Sequence, residues 1–75
     1  MEFLHDLMGK TVRVTLTDSR LVTGQLHCID DSTNMILSDV EIFLPEKASP
    51  CQLLNCVMVN GKHIARIEQK LVDTT

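Results

Sequence analysis

Histidine and cysteine are the residues of this 75-residue chain best suited to metal binding or nucleophilic catalysis. The histidines lack the i, i+4 spacing of a helical metal site, and they are His5, His27 and His63. The cysteines contain no C-x-x-C pair, and an odd number cannot all form disulfides; they are Cys28, Cys51 and Cys56. We therefore expect ordinary histidines, reduced and mostly buried thiols, no metal site and no catalytic residue.

A short polar segment, Asp30-Asp31-Ser32-Thr33, precedes Asn34 and an apolar run. Two carboxylates together could serve acid–base chemistry, but neighbouring side chains at the end of a strand point apart, which favours a turn. Asn34 could hold a ligand. The favoured interpretation is that its side chain bonds the backbone of its own loop and sets the start of the next strand.

Charge and composition exclude several classes of protein. Ten acidic residues outnumber seven Lys and Arg, for a net charge of -3, and the only aromatic residues are Phe3 and Phe43. Strong autonomous nucleic-acid binding is therefore not expected, because phosphate attraction and base stacking both have little support. The sequence shows no apolar run of membrane-spanning length and no signal peptide, so we expect a cytoplasmic or nuclear protein.

The alternation of apolar and polar residues predicts a single domain that is mainly β. After a short N-terminal helix over residues 1–9, the five predicted strands are 10–17, 21–29, 34–44, 53–59 and 64–67, followed by a tail over 69–75. Val22, Gly24, Leu26 and Cys28 share one predicted face of the second strand, and Gly24 indicates a bend or bulge there.

The dipeptide Asn60-Gly61 predicts a hairpin between the fourth and fifth strands, because both residues tolerate positive φ. Five short strands, one of them bent at a glycine, cannot bury a flat face alone. The predicted fold is therefore all-β, a small open barrel of five strongly bent antiparallel strands capped by the N-terminal helix.

Three segments carry a family resemblance. They are GKTVRVTL from Gly9, RLVTGQL from Arg20, and ID at Ile29 followed by NMIL at Asn34. Together they resemble the first motif of the Sm and Sm-like proteins, and the resemblance covers nearly the whole chain. Gly24, Asp30, Asn34 and Gly61 match the family pattern, whereas Asn60 stands where the family has arginine.

The resemblance also implies which residues would face RNA in a ring-forming member. An aromatic or histidine stacks on a base from the position of Ser32, and an arginine packs on it from the position of Asn60. Ser32 offers no π face and Asn60 no charge, so base-stacking energy of ~1–3 kcal/mol and a cation contact are both missing. The family RNA positions Ser32, Asn34, Asn60 and Gly61 are therefore expected to be inactive, and RNA binding is not expected.

One branch of the family fits these losses better, the small Sm-like auxiliary subunits of the NatC N-terminal acetyltransferase. The resemblance lies in MVNGKHI from Met58, TDSRLVTG from Thr17 and the NMIL run. It implies a non-catalytic subunit that stabilises a complex with a large auxiliary subunit and a catalytic subunit, which acetylates N-terminal Met followed by a hydrophobic residue. No glycine-rich loop before a helix is present to hold coenzyme A, so no cofactor is expected. The alternative is an RNA-binding member of an Sm-like ring.

Strands four and five are expected to have open edges, because a short open barrel leaves edge strands that a partner must cover. The residues predicted to form this partner interface are Leu54, Cys56, Met58, Ile64 and Arg66. Strand addition by a partner is the favoured account, and self-association through the same edges is the alternative.

Overall fold

A computed structural model of the chain describes residues 6–69. Most of the predicted helix over residues 1–9 and nearly all of the predicted tail therefore lie outside the described residues. Residues 6–9 form turns, and Gly9 takes a left-handed φ of 80°, a conformation common in the residue that ends a helix. No helix within residues 6–69 has the length and apolar character needed to cross a membrane.

The five predicted strands are confirmed and form one antiparallel sheet. They are β1 (Thr11–Leu16), β2 (Leu21–Ile29), β3 (Met35–Phe43), β4 (Gln52–Val59) and β5 (Ile64–Gln69). Their order in the sheet is β4-β3-β2-β1-β5, so β4 and β5 are the two edge strands. The expectation that strands four and five have open edges agrees with this order.

The connection between β4 and β5 is not the predicted hairpin. Asn60 has a φ of -76°, and a short 3-10 helix over Gly61–His63 follows it. β5 pairs with β1, with Val14 opposite Ile67, instead of returning beside β4. The hairpin prediction was wrong because the dipeptide starts a turn that carries the chain from one edge of the sheet to the other.

The bend predicted at Gly24 is confirmed. The register between β2 and β3 shifts there, and a Cβ on Gly24 would lie 2.9 Å from the backbone oxygen of Ser38. On β3, Asp39 takes a φ of 52°. The buried positions are odd-numbered up to Leu37 and even-numbered from Val40 onward. An uninterrupted period of two would place Leu37 and Asp39 on one face, but a bulge interrupts it, so that Leu37 is buried and Asp39 is exposed.

A second register shift, between Leu26 and Cys28, changes the outer part of β2 in the same way. Leu26 is buried, whereas Cys28 is exposed although both were expected on one face. Cys51 and Cys56 are exposed as well, and all three thiols are free. The expectation of mostly buried cysteines is wrong, because the bulge turns Cys28 to solvent, Cys56 lies on the edge strand β4, and Cys51 lies in the connection that precedes β4.

The core draws on every strand except β5 and on the turn before β1. Its members are apolar and almost fully buried: Leu7, Val12, Val14, Val22, Leu26, Met35, Leu37, Val40, Ile42 and Val59. Half-buried residues of β4 and β5, among them Leu54 and Ile64, pack against this cluster. The bent sheet thus closes around one core, as burial of apolar surface requires in a domain of this size.

A loop clamp and two open sheet edges as candidate binding surfaces

The loop after β2 is organised by the carboxylate of Asp30. Its Oδ1 accepts hydrogen bonds from the backbone N–H groups of Ser32 and Asn34, at 2.8 and 3.0 Å. Its Oδ2 accepts a third from Asn34 Nδ2 at 3.1 Å. These bonds, led by the one from the Asn34 backbone, lower the pKa of Asp30 below its ordinary value, against a partial opposing effect of desolvation. Asp30 is therefore a turn-forming carboxylate held in its ionised form.

Asn34 connects this loop to the turn that follows β4. Its Oδ1 accepts a hydrogen bond from the backbone N–H of Gly61 at 2.7 Å. Gly61 packs so closely on the first loop that a Cβ there would overlap the carbonyl oxygen of Ser32. Glycine is required at this position because a side chain would clash with the first loop. Its backbone conformation is not the reason, since the φ of Gly61 is not positive. We call the hydrogen-bonded set Asp30, Asn34 and Gly61 the loop clamp.

The structural interpretation of Asn34 agrees with these contacts, but its partners differ from those expected. The side chain bonds the Asp30 carboxylate and the backbone of a second loop, 27 residues away in sequence, where bonds to its own loop backbone were expected. The family motif includes Asn34 and Gly61, but nothing in local turn chemistry indicates a hydrogen bond between two residues so far apart in sequence.

The other two family RNA positions lie beside the clamp. Ser32 is exposed in the first loop. Asn60 is exposed and caps the 3-10 helix, since its Oδ1 accepts a hydrogen bond from the Lys62 backbone N–H at 3.2 Å. The structure brings all four predicted positions together at one end of the barrel, without an aromatic ring at residue 32 or a cation at residue 60.

The residues predicted as a partner interface divide between the two edges of the sheet. On β4, Cys56 and Met58 are exposed, Met58 at 69%, whereas Leu54 is half-buried against the core. On β5, Arg66 is exposed and Ile64 is half-buried against the core. Their role in partner binding stays a prediction, and the half-buried pair also supports the fold.

Leu53 is a surface residue that sequence reasoning missed. It is 68% exposed on β4 and pairs in register with Glu41 of β3. The residues of this strand predicted for the partner interface were the alternating set Leu54, Cys56 and Met58, which leaves Leu53 out. The available signal was the Leu53-Leu54 pair itself, since two adjacent leucines in an alternating strand cannot both face the core.

β4 also borders an open cavity of about 210 Å³ at the end of the barrel. Its apolar lining comes from β1, β2, β3 and β4, namely Leu16, Val22, Ile42, Val57, Met58 and Val59. Arg20, Asn60 and His63 complete the rim, and the Nε of Arg20 is paired with Asp18 Oδ2 at 2.7 Å. The cavity could receive an apolar side chain from a partner on the β4 edge.

The two histidines within residues 6–69, His27 and His63, lie in different places. His27 Nε2 lies 2.7 Å from Ser38 Oγ on the outside of the sheet, His63 belongs to the 3-10 helix, and His5 precedes the described residues. Across residues 6–69 there is no group of three or more His, Cys, Asp or Glu side chains that could hold a metal ion.

The fold and the loop clamp define an Sm-like protein. The LSM domain model matches residues 2–69, and the chain therefore belongs to the LSM family. A heptameric archaeal Sm protein superposes with a TM-score of 0.83 at 27% identity, over 95% of this chain and all of that one.

Within the family, the chain is similar to auxiliary subunits of NatC. It is 36% identical over 64 residues to the Drosophila melanogaster N-alpha-acetyltransferase 38, NatC auxiliary subunit, a match that covers 85% of this chain. A chain in the crystal structure of the NatC complex bound to CoA superposes with a TM-score of 0.76 at 27% identity, over 89% of this chain and 83% of that one. The match spans about half, 52%, of the Drosophila protein.

Proposed function

We propose that this chain is a non-catalytic auxiliary subunit of a NatC N-terminal acetyltransferase, in which it stabilises the assembly with a large auxiliary subunit and a catalytic subunit. The observation that carries the proposal is the similarity to a named NatC auxiliary subunit over 85% of this chain. The superposition on a chain of a NatC complex agrees with it. The complex would acetylate N-terminal methionine followed by a hydrophobic residue, and we expect it in the cytoplasm.

The surface chemistry supports a scaffold role. β4 ends the sheet with open backbone N–H and C=O groups, carries no charged side chain and exposes Leu53 and Met58. An edge of this kind is a template for another strand, which would satisfy the backbone groups and cover the apolar side chains. A strand of the large auxiliary subunit is our proposed occupant, with one apolar side chain in the neighbouring cavity.

Copurification tests the assembly. The tagged full chain would be purified from cells of its source, and the bound proteins identified by mass spectrometry. We expect one large auxiliary chain and one acetyltransferase chain in constant ratio. Recovery of several small Sm-like proteins in their place would overturn the proposal.

The substrate preference needs a separate measurement. In cells that lack this chain, N-terminal peptides would be quantified for acetylation. Termini that begin with Met and a hydrophobic residue should lose acetylation, whereas termini of other classes serve as the internal control. Unchanged acetylation of the first class would contradict the proposed role in that reaction.

The second candidate function is membership of an RNA-binding Sm-like ring. It is favoured by the close superposition on the archaeal heptamer and by the presence of Asn34 at its family position. Against it stand the net charge of -3 and the residues Ser32 and Asn60. Oligouridine binding at ~150 mM salt separates the two, because sequence-independent phosphate attraction is then much reduced.

We expect no measurable oligouridine binding by the wild-type chain or its complex. The double variant Ser32→Phe, Asn60→Arg would supply a stacking ring and a cation on neighbouring loops, and it serves as the gain-of-binding comparison. Uridine-specific binding by the wild type that Asn34→Ala abolishes without unfolding the chain would make the ring the better interpretation.

A further inference from the structure

Asn60-Gly61 is a chemically reactive dipeptide. An asparagine side chain is attacked at Cγ by the backbone nitrogen of the next residue, which expels ammonia and forms a cyclic succinimide. Water then opens the ring to aspartate or isoaspartate. Glycine in the second position favours the attack because it has no Cβ to crowd the nitrogen. Of the three asparagines in the sequence, Asn34, Asn55 and Asn60, only Asn60 precedes a glycine.

Both reacting groups are held in other hydrogen bonds. The attacking nitrogen, that of Gly61, donates its hydrogen to Asn34 Oδ1 at 2.7 Å. The side chain that would be attacked is held by its Oδ1, which accepts from the Lys62 N–H at 3.2 Å. Ring closure requires the Gly61 nitrogen to lose its proton and turn towards Asn60 Cγ, which its bond to Asn34 opposes, whereas the Lys62 bond fixes the orientation of the Asn60 side chain.

Packing opposes the same movement. Gly61 is seated against the Ser32 carbonyl oxygen, and the carbonyl carbon of Thr33 lies 3.0 Å from the position that a Gly61 Cβ would occupy. Rotation of the peptide group between residues 60 and 61 would disturb this close fit of Gly61 on the first loop. The loop is held by the Asp30 bonds to Ser32 and Asn34.

We propose that Asn60 is a site of spontaneous deamidation that the loop clamp keeps inactive, and that the reaction starts when the Asn34 to Gly61 hydrogen bond opens. The amide is lost as ammonia, water supplies the replacing oxygen, and no oxidant or enzyme takes part. Isoaspartate would lengthen the backbone by one methylene beside Gly61 and remove it from its seat on Ser32. The isoaspartate product therefore prevents the clamp from closing again.

The test follows deamidation in the full-length chain in mildly alkaline buffer. Aspartate and isoaspartate at residue 60 are quantified by peptide mass spectrometry and by isoaspartyl methyltransferase labelling, with the same chain in concentrated urea as the unprotected reference. We expect the native chain to convert at least tenfold more slowly than the unfolded chain. Asn34 and Asn55, both followed by larger residues, are internal controls that should stay unconverted in the unfolded chain when Asn60 reacts.

Asn34→Ala removes the acceptor of the Gly61 hydrogen. We expect conversion of Asn60 to accelerate roughly fivefold, the factor that corresponds to about 1 kcal/mol for one hydrogen bond. Val12→Ala, a buried change in β1 distant in sequence from both loops, is the matched control for general loss of stability. Acceleration by Asn34→Ala beyond that of the control supports the proposal, and equal acceleration overturns it.

Hydrogen exchange provides a measurement that needs no variant. In the wild type, exchange of the Gly61 amide reports how often its bond to Asn34 opens. We expect the factor by which hydrogen exchange of this amide is slowed to match the factor by which deamidation of Asn60 is slowed in the native chain. An unprotected Gly61 amide in a chain that does not deamidate, or native deamidation as fast as in urea, would show that the clamp does not control the reaction.

Discussion

The two edges of the sheet differ in chemistry although both present an open strand. β4 has no charged residue among its eight and exposes Leu53 and Met58. β5 carries Arg66 and Glu68, which form an ion pair at 3.2 Å, and its two isoleucines are half-buried. Charges on an edge strand discourage the addition of another strand. The comparison indicates that β4 is the edge available to an apolar partner, whereas the charges on β5 make the addition of another strand there less favourable.

The connection between the edges is held by the loop clamp. The 3-10 helix over Gly61–His63 joins β4 to β5, and the Thr17 backbone N–H donates to the His63 carbonyl at 2.8 Å at its far end. At its near end Gly61 is fixed to Asn34. The connection between the two edges is therefore held at both ends by hydrogen bonds to other loops.

The largest expected effect is on partner binding through β4. Met58→Glu should weaken capture of the large auxiliary subunit tenfold or more, about 1.4 kcal/mol or more, because it buries an unpaired charge at the interface. The measurement is quantitative copurification or titration calorimetry, with the isolated variant checked by circular dichroism. Met58 is so exposed that the isolated fold should change in stability by no more than about 0.5 kcal/mol.

Ala65→Glu introduces the same charge on the opposite edge and is the matched control, since Ala65 is exposed on β5. We expect it to weaken binding less than Met58→Glu, and the reverse order would assign the partner to β5. Leu54→Lys is a poor alternative on β4, because Leu54 packs against the core and its loss affects folding as well.

The next effect concerns the connection. Gly61→Ala should lower the free energy of unfolding by about 1–3 kcal/mol, because the new methyl group overlaps the Ser32 carbonyl and the loops must separate. Urea unfolding measures it, with exposed Lys62→Ala in the same turn as the control, for which a change within about 0.5 kcal/mol is expected. Equal stability of the two variants would mean that Gly61 is not tightly seated.

A smaller effect is expected from acidification. The pKa of Asp30 is lowered in the folded chain, chiefly by the Asn34 backbone hydrogen bond, so its ionised form stabilises the fold at neutral pH. This stabilisation is present above the ordinary value of 3.8 and is lost as pH falls through the lower folded value. Unfolding free energies at about pH 7 and about pH 3 should therefore differ less in Asp30→Asn than in the wild type.

Asp18 must be separated from this effect, since its pKa is also lowered, first by the Arg20 backbone N–H and also by the Arg20 side chain. Asp18→Asn should reduce the acid sensitivity without changing protection of the Gly61 amide. If Asp30→Asn left both the pH dependence and the Gly61 exchange rate as in the wild type, the carboxylate would have no part in the clamp.

The smallest effect belongs to the β5 ion pairs. Glu68 Oε1 pairs with Arg13 at 3.1 Å and its Oε2 with Arg66 at 3.2 Å, and both arginine side chains are about half exposed or more. Exposed pairs contribute about 0–1 kcal/mol, so Arg66→Ala should change stability within that range and less at high salt. A larger, salt-independent loss would indicate that the β5 edge has a packing role beyond its charges.

Local pattern in the sequence was enough for the strands and for the bend. The alternation Val12, Val14, Leu16 and the short runs that follow it describe β1 to β5 to within a few residues. Gly24 signalled the bend because a residue without a side chain in a strand marks a close backbone approach. The family motif located Asp30, Asn34 and Gly61, but it did not indicate their hydrogen-bond partners or the distances between them.

Only the tertiary structure decided the order of the strands, the exposure of Cys28 and the packing of Leu54. The sheet order depends on hydrogen bonds between distant segments, which local turn residues such as Asn60-Gly61 do not encode. A bulge reverses the inward and outward alternation after it, so the face of Cys28 could not be read from its spacing. The bond from Gly61 to Asn34 spans 27 residues and exists because the bent sheet brings two loops to the same end of the barrel.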